Sequence, residues 1–267
     1  MLDPSTIDTI ARAYDAAEKG RHRIRPPSVQ YEGFRVEDAY AVQRRWVEIK
    51  VAAGNPVRGH KIGLTSRAMQ RQANITEPDY GALMADMFYA DGAEIPVDRF
   101  IQPRLECELG FVMGRRLKGP GCTIFDVLNA TDYVIPAAEI VDGRTHRIDP
   151  ETGKPRSVLD SIADNAGNAA LVVGGRPVKP MDVDLRWVSV LCHRNNVIEE
   201  SGVAAAVLNH PANGVAWLAN KLAPFDIALE PGQFVLGGSF TAMVEARAGD
   251  VFHVDYGPLG SISSRFV

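Results

Sequence analysis

Cysteine is scarce in this chain and follows none of the spacings that bind zinc or form disulfide frameworks. The 267 residues include three cysteines, Cys107, Cys122 and Cys192, and none belongs to a CxxC motif. An odd number at unrelated spacings argues against a disulfide framework and against a structural zinc site. We therefore expect a protein of a reducing compartment, the cytoplasm.

The chain also lacks long apolar runs and an excess of positive charge. No stretch approaches the ~18 consecutive apolar residues of a membrane-spanning helix. The first residues lack the basic and apolar segments of a signal peptide. The formal net charge is −4, from 29 lysines and arginines against 33 aspartates and glutamates. These features argue against a nucleic acid or a membrane as a partner.

Several catalytic motifs are missing as well. The sequence contains no GxSxG nucleophile elbow, no HExxH zinc motif and no GxGxxG between a predicted strand and a predicted helix. An activated serine, a catalytic zinc ion or a dinucleotide cofactor is therefore not indicated.

What the chain does have is enough apolar material for a sizeable core. Hydrophobic residues make up 46% of the sequence, and its length is about the upper size for one core. Apolar residues at helical spacing predict two helices, from Ser5 to Gly20 and from Val36 to about Ala53. We expect them to form a small N-terminal helical part, residues 1–56, ahead of a catalytic domain of residues 57–267.

From Val57 onward, short apolar runs broken by glycine and proline predict mostly strands. The predicted strands lie near Gly59–Leu64, Phe100–Met113, Tyr133–Val141, Asn168–Val173, Trp187–Arg194, Gln233–Leu236 and Asp250–Val254. The predicted helices lie near Ser66–Asn74, Ile124–Ala130 and Pro211–Leu222. This pattern predicts an α+β domain with a curved, largely β core. The polar stretch Asp142–Asn165 is typical of a long irregular connection, either a binding loop or a plain surface excursion.

The stretch Arg104–Met113 carries the first sign of chemistry. In a strand, Glu106 and Glu108 share one face, and the other face is apolar. The residues of that apolar face are Leu105, Cys107, Leu109 and Phe111, which we expect to anchor the strand in the core. Neighbouring positions on one face lie roughly 6.5–7 Å apart, so two carboxylates can bind one ion between them.

A third carboxylate, Glu139, lies in the apolar run Tyr133–Val141. An isolated buried carboxylate is costly, so we expect it to be paired or to coordinate an ion. Three carboxylates without a thiolate or an imidazole favour Mg²⁺, with Mn²⁺ as an alternative, over zinc and copper. The glutamates could instead pair with arginines such as Arg104 or face solvent, and sequence spacing leaves this alternative open.

Two further residues are candidates for acid–base chemistry. Lys61 lies in a short strand-like run between Gly59 and Gly63. A partly buried lysine there can donate a proton or hold a fixed charge towards an anionic substrate, and the alternative is a solvated surface lysine. Asp79, in the segment Glu77–Gly81, can act as an acid or a base, or simply form a turn.

The segment Leu236–Thr241 contains the paired glycines Gly237 and Gly238 directly after a predicted strand. Such glycines let backbone amides approach a ligand closely, as in anion-binding loops. No lysine follows at the offset of a Walker loop. A plain turn after a strand explains the pair equally well.

Together these stretches resemble the fumarylacetoacetate-hydrolase superfamily, in the hydratase and decarboxylase branch that serves the degradation of aromatic compounds. The matching stretches are Gly59–Ser66, Glu77–Gly81, Glu106–Glu108, Pro136–Asp142 and Gly237–Thr241. The resemblance implies a C-terminal mixed β-sandwich or roll and a homo-oligomer. It also implies a magnesium site at Glu106, Glu108 and Glu139, with Lys61 and Asp79 as acid–base residues beside it.

The reaction that the resemblance implies is metal-assisted addition of water to a conjugated 2-oxo or 2-hydroxydienoic acid. The expected partner is a small 2-oxo dicarboxylate. Its expected contacts are Leu64, Gly238, Ser239 and Thr241. Its second carboxylate needs a cation, for which Arg144, Arg147 and Arg156 are candidates. Three alternatives stay open. They are hydration of the shorter 2-hydroxypenta-2,4-dienoate, decarboxylation of 4-oxalocrotonate, and a non-catalytic partner subunit of a hydratase–decarboxylase complex.

Overall fold

The computed structural model describes residues 1–67, 70–71 and 74–267. The helix predicted near Ser66–Asn74 falls across both gaps, so that prediction lies outside the described residues. Within the described ranges, no helix combines the length and the apolar character that a bilayer-spanning segment needs.

Six α-helices lie wholly within the described residues. They are α1 (Pro4–Gly20), α2 (Pro27–Gln30), α3 (Val36–Ala52), α4 (Ile124–Ala130), α5 (Val158–Ala163) and α6 (Pro211–Leu222). Helix α1 begins where the Asp3 side chain accepts hydrogen bonds from the amides of Ser5 and Thr6, and it ends at Arg21 in a left-handed conformation. It packs against α3, and both helices lie within a residue of their predicted bounds.

Helix α5 corrects the expectation of an irregular connection over Asp142–Asn165. The Ser157 hydroxyl accepts a hydrogen bond from the Leu159 amide, and the Asp160 carboxylate accepts one from the Ser157 amide, which together form a capping box. The helix packs its buried Ile162 against the N-terminal part of the chain. At six residues it is too short to show a periodic pattern in the sequence.

Thirteen strands lie in the described residues. They are β1 (Val57–Gly63), β2 (Asp79–Met84), β3 (Phe88–Ala90), β4 (Ala93–Ile95), β5 (Arg104–Met113), β6 (Thr131–Val141), β7 (Asn168–Val173), β8 (Ser189–Arg194), β9 (Val197–Val203), β10 (Phe234–Leu236), β11 (Val244–Glu245), β12 (Val251–Asp255) and β13 (Ser261–Phe266). The seven predicted strands correspond to β1, β5, β6, β7, β8, β10 and β12. The sequence missed the other six, and β2 stands where a turn was considered at Asp79.

The strands form two mixed sheets. The larger has the order β2-β1-β10-β5-β6-β7-β3, with β11 paired to the start of β5, and the smaller has the order β4-β13-β12-β8-β9. The pairs β1/β10, β3/β7 and β4/β13 are parallel. The two sheets pack together where β13 contacts β6 and β7. Cys107 on β5 and Cys192 on β8 are both fully buried. Leu105, Cys107 and Leu109 are buried, as predicted.

The N-terminal helices share a core with the sheets. The Gln43 side chain of α3 donates hydrogen bonds of 2.8 Å to the carbonyls of Tyr80 on β2 and Ile162 on α5. Trp46, on the same helix, is fully buried. The helices therefore support the strand that carries Asp79. The division of the chain at residue 56 stays a prediction.

Candidate metal centre and active site

Three glutamates meet at the centre of the larger sheet. Strands β5 and β6 pair so that Glu106 lies opposite Glu139, and Glu108 lies two residues along β5 on the same face. Residues directly opposite each other on antiparallel strands have Cβ atoms about 4.5–5.5 Å apart. One oxygen from each carboxylate lies within 4.8 Å of the other two. The sheet register thus brings together the residues that the sequence predicted as metal ligands.

Two of the three carboxylates are buried and Glu106 is half-buried, which makes their shared negative charge costly. Glu108 and Glu139 are 1% and 0% exposed. Burial and the neighbouring Glu139 carboxylate raise the pKa of Glu106 to about 8. Burial, followed by Glu139 and Glu106, raises the pKa of Glu108 well above its usual range. Such a cluster is destabilising unless protons or a cation lie among the oxygens.

The donor set fits a hard divalent cation. Oε1 of Glu139 lies 3.2 Å from Nζ of Lys61 and accepts a 2.8 Å hydrogen bond from Nδ2 of Asn168. Its Oε2 is buried and has no hydrogen-bond partner among the described residues. A buried carboxylate oxygen without a partner is costly, and a cation removes that cost. A donor set of three carboxylates matches Mg²⁺ and Mn²⁺.

Ion pairing with arginine, the alternative that the sequence left open, does not occur in the described part of the chain. In that part of the chain, the cationic group within ion-pair distance of one of the three glutamates is the Lys61 ammonium, which pairs with Glu139. Arg104 lies on the same strand, but its guanidinium contacts Sδ of Met243 at 4.0 Å instead. The glutamates are therefore left available for a metal ion.

Two groups hold the carboxylates themselves, and a third ties together the strands that carry them. Of the three, the sequence had singled out only Gly238, as an expected substrate contact. The Gly238 amide donates a 2.8 Å hydrogen bond to Oε2 of Glu108. The Tyr256 hydroxyl accepts a 3.2 Å hydrogen bond from the Glu108 amide and donates one of 2.6 Å to the Ala137 carbonyl. Asn168 holds Glu139. Asn168 could have been noticed in the sequence, because it is the one polar residue at the start of the apolar run of β7. No local sequence pattern distinguished Tyr256.

Replacing Asn168 with alanine should weaken Mg²⁺ binding by about 10- to 100-fold, because groups that orient metal ligands typically contribute that much. Calorimetric titration with Mg²⁺ measures the affinity, and thermal unfolding checks that the fold survives. Asn213→Ala is the matched control, because the Asn213 amide donates to the Leu208 carbonyl and does not line the cavity described below. An Mg²⁺ affinity equal to that of the unaltered protein would contradict the positioning role.

Lys61 and Asp79 lie beside the carboxylates because β1 and β2 are paired. Asp79 lies opposite Gly63, two residues beyond Lys61. A Cβ atom added to Gly63 would lie 2.2 Å from Oδ1 of Asp79 and 3.2 Å from Nζ of Lys61. The two groups therefore border one small space, which exists because residue 63 is glycine. Both side chains are buried, so neither the turn nor the solvated-lysine alternative holds.

The charges of these two residues are tuned by burial and by each other. Burial raises the pKa of Asp79 to about 6, although the Lys61 ammonium opposes the shift. Burial alone would lower the pKa of the Lys61 amine, but the Glu139 and Asp79 carboxylates raise it above its ordinary value. Oδ1 of Asp79 has no hydrogen-bond partner among the described residues. A free carboxyl oxygen beside an ammonium group is suited to proton transfer near neutral pH.

A cavity of about 710 Å³ contains this site, a volume within the range of small-molecule pockets. Its wall includes both acid–base candidates and two of the three glutamates. Leu64, Ser239 and Thr241, which were predicted to contact the substrate, also line it. Gly238 instead directs its amide at Glu108, and its contact with substrate stays a prediction.

Two of the three arginines predicted to bind a second carboxylate reach this cavity. Arg147 and Arg156 line it. Arg144 does not, because its buried guanidinium donates to the Asp164 carboxylate and to the Asn168 carbonyl. A guanidinium held in this way is not available to a ligand, so the prediction for Arg144 is wrong.

Comparison with known proteins agrees with this arrangement. The sequence profile of the family described as fumarylacetoacetate (FAA) hydrolase C-terminal matches residues 49–267. The chain therefore belongs to the fumarylacetoacetate hydrolase family, as its sequence motifs indicated.

Relatives with stated activities cover the whole chain. A protein of Escherichia coli named 2-oxo-hept-4-ene-1,7-dioate hydratase is 63% identical over 267 residues, which is 100% of both chains. A 4-oxalocrotonate decarboxylase of Pseudomonas sp. (strain CF600) is 37% identical over 100% of this chain and 98% of its own. The solved structure of 4-oxalocrotonate decarboxylase from Pseudomonas putida G7, complexed with magnesium and adipate, matches with a TM-score of 0.94 and 36% identity over 100% and 99% of the two chains. The predicted fold is thereby confirmed, and the predicted cofactor agrees with the magnesium of this relative.

Proposed function

We propose that this protein is a magnesium-dependent hydro-lyase that hydrates 2-oxo-hept-4-ene-1,7-dioate, as its 2-hydroxydienoate tautomer, to 4-hydroxy-2-oxoheptanedioate. The proposal rests on one observation. Three carboxylates, a lysine and an aspartate converge in a chain that is 63% identical, end to end, to a hydratase named for that substrate. In this proposal the enzyme serves the breakdown of aromatic compounds such as homoprotocatechuate.

The metal ligands in this proposal are Glu106, Glu108 and Glu139. When bound, Mg²⁺ supplies Lewis-acid stabilisation of the negative charge that develops on the 2-oxygen of the substrate. Asn168 and Gly238 contribute by fixing the carboxylates of Glu139 and Glu108, and Tyr256 contributes by tying the backbones of β5 and β6 together. Fixed ligands need little reorganisation during the reaction, and this lowers the barrier.

Lys61 provides a fixed positive charge at the head of the substrate. Its amine stays protonated because the Glu139 and Asp79 carboxylates raise its pKa. A dianionic substrate entering a site of three carboxylates needs cations that offset the repulsion. We assign Lys61 to the 1-carboxylate and the 2-oxygen of the substrate.

Asp79 is the proton carrier in this proposal. The dienoate loses the proton of its 2-hydroxyl group and gains one at C5, which gives a 2-oxo-3-enoate. Water then adds across the C3–C4 double bond, with the hydroxyl on C4 and a proton on C3. A carboxyl whose pKa is about 6 can both accept and release a proton near neutral pH, as these steps require.

The proposal is tested with purified protein, Mg²⁺ and three substrates. We expect the seven-carbon 2-hydroxydienedioate to lose its conjugated absorbance without release of CO₂, and mass spectrometry should find the 4-hydroxy product. The five-carbon 2-hydroxypenta-2,4-dienoate, which lacks the second carboxylate, should be a poorer substrate. 4-Oxalocrotonate should release little CO₂.

Each alternative predicts a different result in this experiment. A decarboxylase, a reading supported by the TM-score of 0.94 with 4-oxalocrotonate decarboxylase, would release CO₂ from 4-oxalocrotonate faster than it hydrates the seven-carbon acid. A hydratase of short dienoates would prefer the five-carbon acid. A non-catalytic partner subunit would turn over none of the three.

Two further parts of the proposal concern the protein in the cell. We propose a homo-oligomer and a cytoplasmic location, both on the basis of the family resemblance and the sequence composition. Light scattering of the purified protein measures the number of subunits. A mass equal to that of one chain would contradict the homo-oligomer.

A further inference from the structure

Four arginines line the cavity close enough for the charges of the other three to act on Arg104, and we call Arg23, Arg104, Arg147 and Arg156 the basic cluster. The wall of this cavity also includes Lys61, Glu106 and Glu108. They come from separate segments, namely the stretch before α2, the start of β5 and the connection between β6 and α5. Only the folded chain brings them together.

The basic cluster lacks carboxylate partners. Within the described ranges, none of its guanidiniums lies within ion-pair distance of an aspartate or glutamate. Arg23 donates to the Gln102 amide oxygen at 2.9 Å, and Arg156 donates to the Thr145 hydroxyl at 3.1 Å, so their hydrogen-bond partners are neutral. Ten of the eighteen other arginines in that part of the chain form ion pairs with an aspartate or a glutamate.

Of the acids near the cluster, the one on the strand beside Arg104 is already engaged. Glu245 on β11 faces Arg104 across the strand pair. Its carboxylate instead accepts hydrogen bonds from Arg247 at 2.8 Å and from the Gln102 amide at 3.3 Å. Nearby carboxylates such as Glu245 offset part of the positive charge of the basic cluster, but within the described chain none of them forms an ion pair with it.

The electrostatics of Arg104 agree with this description. Burial lowers the pKa of the Arg104 guanidinium, and the charges of Arg147 and Arg156 lower it further. Like charges held together and partly out of water are unfavourable, and an anion between them removes the cost. A carboxylate binds to a guanidinium through two parallel hydrogen bonds, which suits such a site.

The position of Arg104 relates the basic cluster to the metal centre. Arg104, Glu106 and Glu108 occupy alternate positions of β5 and so project from the same face. Neighbouring positions on one face are roughly 6.5–7 Å apart, a span comparable to that of a short extended dicarboxylate. A ligand with one end at the glutamates can therefore place its other end at Arg104.

We propose that Arg104 and Arg147, supported by Arg23 and Arg156, bind the second carboxylate of the substrate and select dicarboxylates over monocarboxylates. This inference rests on the proposed function for the identity of the substrate. The sequence identified Arg147 and Arg156 for this role but assigned Arg104 as a possible partner of the glutamates. The chemistry recognised is a carboxylate at the far end of a short acyclic chain.

The experiment compares Arg104→Met, Arg147→Met and the double variant on the seven-carbon and five-carbon dienoates. Each substitution should lower kcat/KM for the seven-carbon acid by about 10- to 100-fold, the usual effect of losing a charged hydrogen bond. Most of the loss should be in KM. The five-carbon acid has nothing for the cluster to bind, so its kcat/KM should change less than about threefold.

Arg115→Met is the matched control, since Arg115 is exposed just beyond the far end of β5 and does not line the cavity. A second measurement avoids turnover altogether. Adipate, a dicarboxylate, and pentanoate, its monocarboxylate counterpart, are titrated calorimetrically into the magnesium-loaded variants. Adipate binding should weaken about as much as kcat/KM does, and pentanoate binding should not.

The two measurements separate this inference from the proposed function. Suppose that the unaltered protein hydrates neither dienoate, yet the double variant binds adipate more weakly than the unaltered protein does. Carboxylate binding by the basic cluster is then supported, and the hydratase proposal fails. If the double variant binds adipate as tightly as the unaltered protein does, the inference is overturned. Equal losses on the five-carbon and seven-carbon acids would overturn it too, because they would indicate a general disturbance of the site.

Discussion

Glu139→Gln should lower turnover by at least about 10³-fold, because the change removes one ligand charge from the cation while conserving the volume of the side chain. Glu139 is the carboxylate that connects the parts of the site. It lies opposite Glu106, contacts Lys61 at 3.2 Å and accepts the hydrogen bond of Asn168. A glutamine can keep the hydrogen bond from Asn168 but cannot supply the missing charge.

The metal dependence of stability gives this prediction a readout besides activity. Mg²⁺ that binds only the folded state should raise the melting temperature of the unaltered protein. It should raise that of Glu139→Gln much less, and exhaustive chelation should remove the activity of the unaltered protein until Mg²⁺ is restored. Glu230→Gln is the control, because Glu230 is a surface residue paired with Arg116. Full activity in metal-free protein or in Glu139→Gln would refute the metal centre.

The metal ligands illustrate what strand periodicity can and cannot predict. Alternation along β5 placed Glu106 and Glu108 on one face, and burial of Leu105 and Cys107 confirms that assignment. Alternation cannot say which strand lies beside β5 or in what register. The approach of Glu139 depends on the pairing with β6, and for that residue the useful sign was the cost of a carboxylate in an apolar run.

Asp79 shows the opposite case, in which local chemistry pointed the wrong way. A proline directly before an aspartate is typical of a turn, yet Asp79 begins β2 and is buried. The reason is tertiary. Pairing with β1 and support from Gln43 hold this segment in a strand, and both contacts come from distant parts of the chain.

The basic cluster could be predicted only in part. Its members lie in three segments that are far apart in sequence, and a lone arginine in a polar loop looks the same whether or not it is paired. Arg144 and Arg147 are three residues apart, but one is buried against Asp164 and the other is exposed at the cavity. Which arginines remain without a carboxylate is a property of the packed molecule.

Lys61→Met should lower kcat by about 10³-fold, within the range expected for loss of a fixed charge that stabilises the developing negative charge of the substrate. Unlike Glu139→Gln, it should not weaken Mg²⁺ binding. The Lys61 ammonium and a metal ion compete for the same Glu139 carboxylate, since Nζ lies 3.2 Å from Oε1. Removing the ammonium leaves the metal as the remaining cation at that carboxylate, so Mg²⁺ affinity should be equal or higher.

This separation of activity from metal binding distinguishes a catalytic lysine from one that only stabilises the fold. Lys50→Met is the matched control, because Lys50 is also buried and paired with a glutamate, Glu18, but lies on α3 outside the cavity. It should lose stability and keep its kcat. Without metal, Lys61→Met should also be destabilised, because Glu139 and Asp79 lose their counter-charge, and Mg²⁺ should restore its melting temperature but not its turnover. If Mg²⁺ restores both, Lys61 acts by holding the fold and has no part in the reaction.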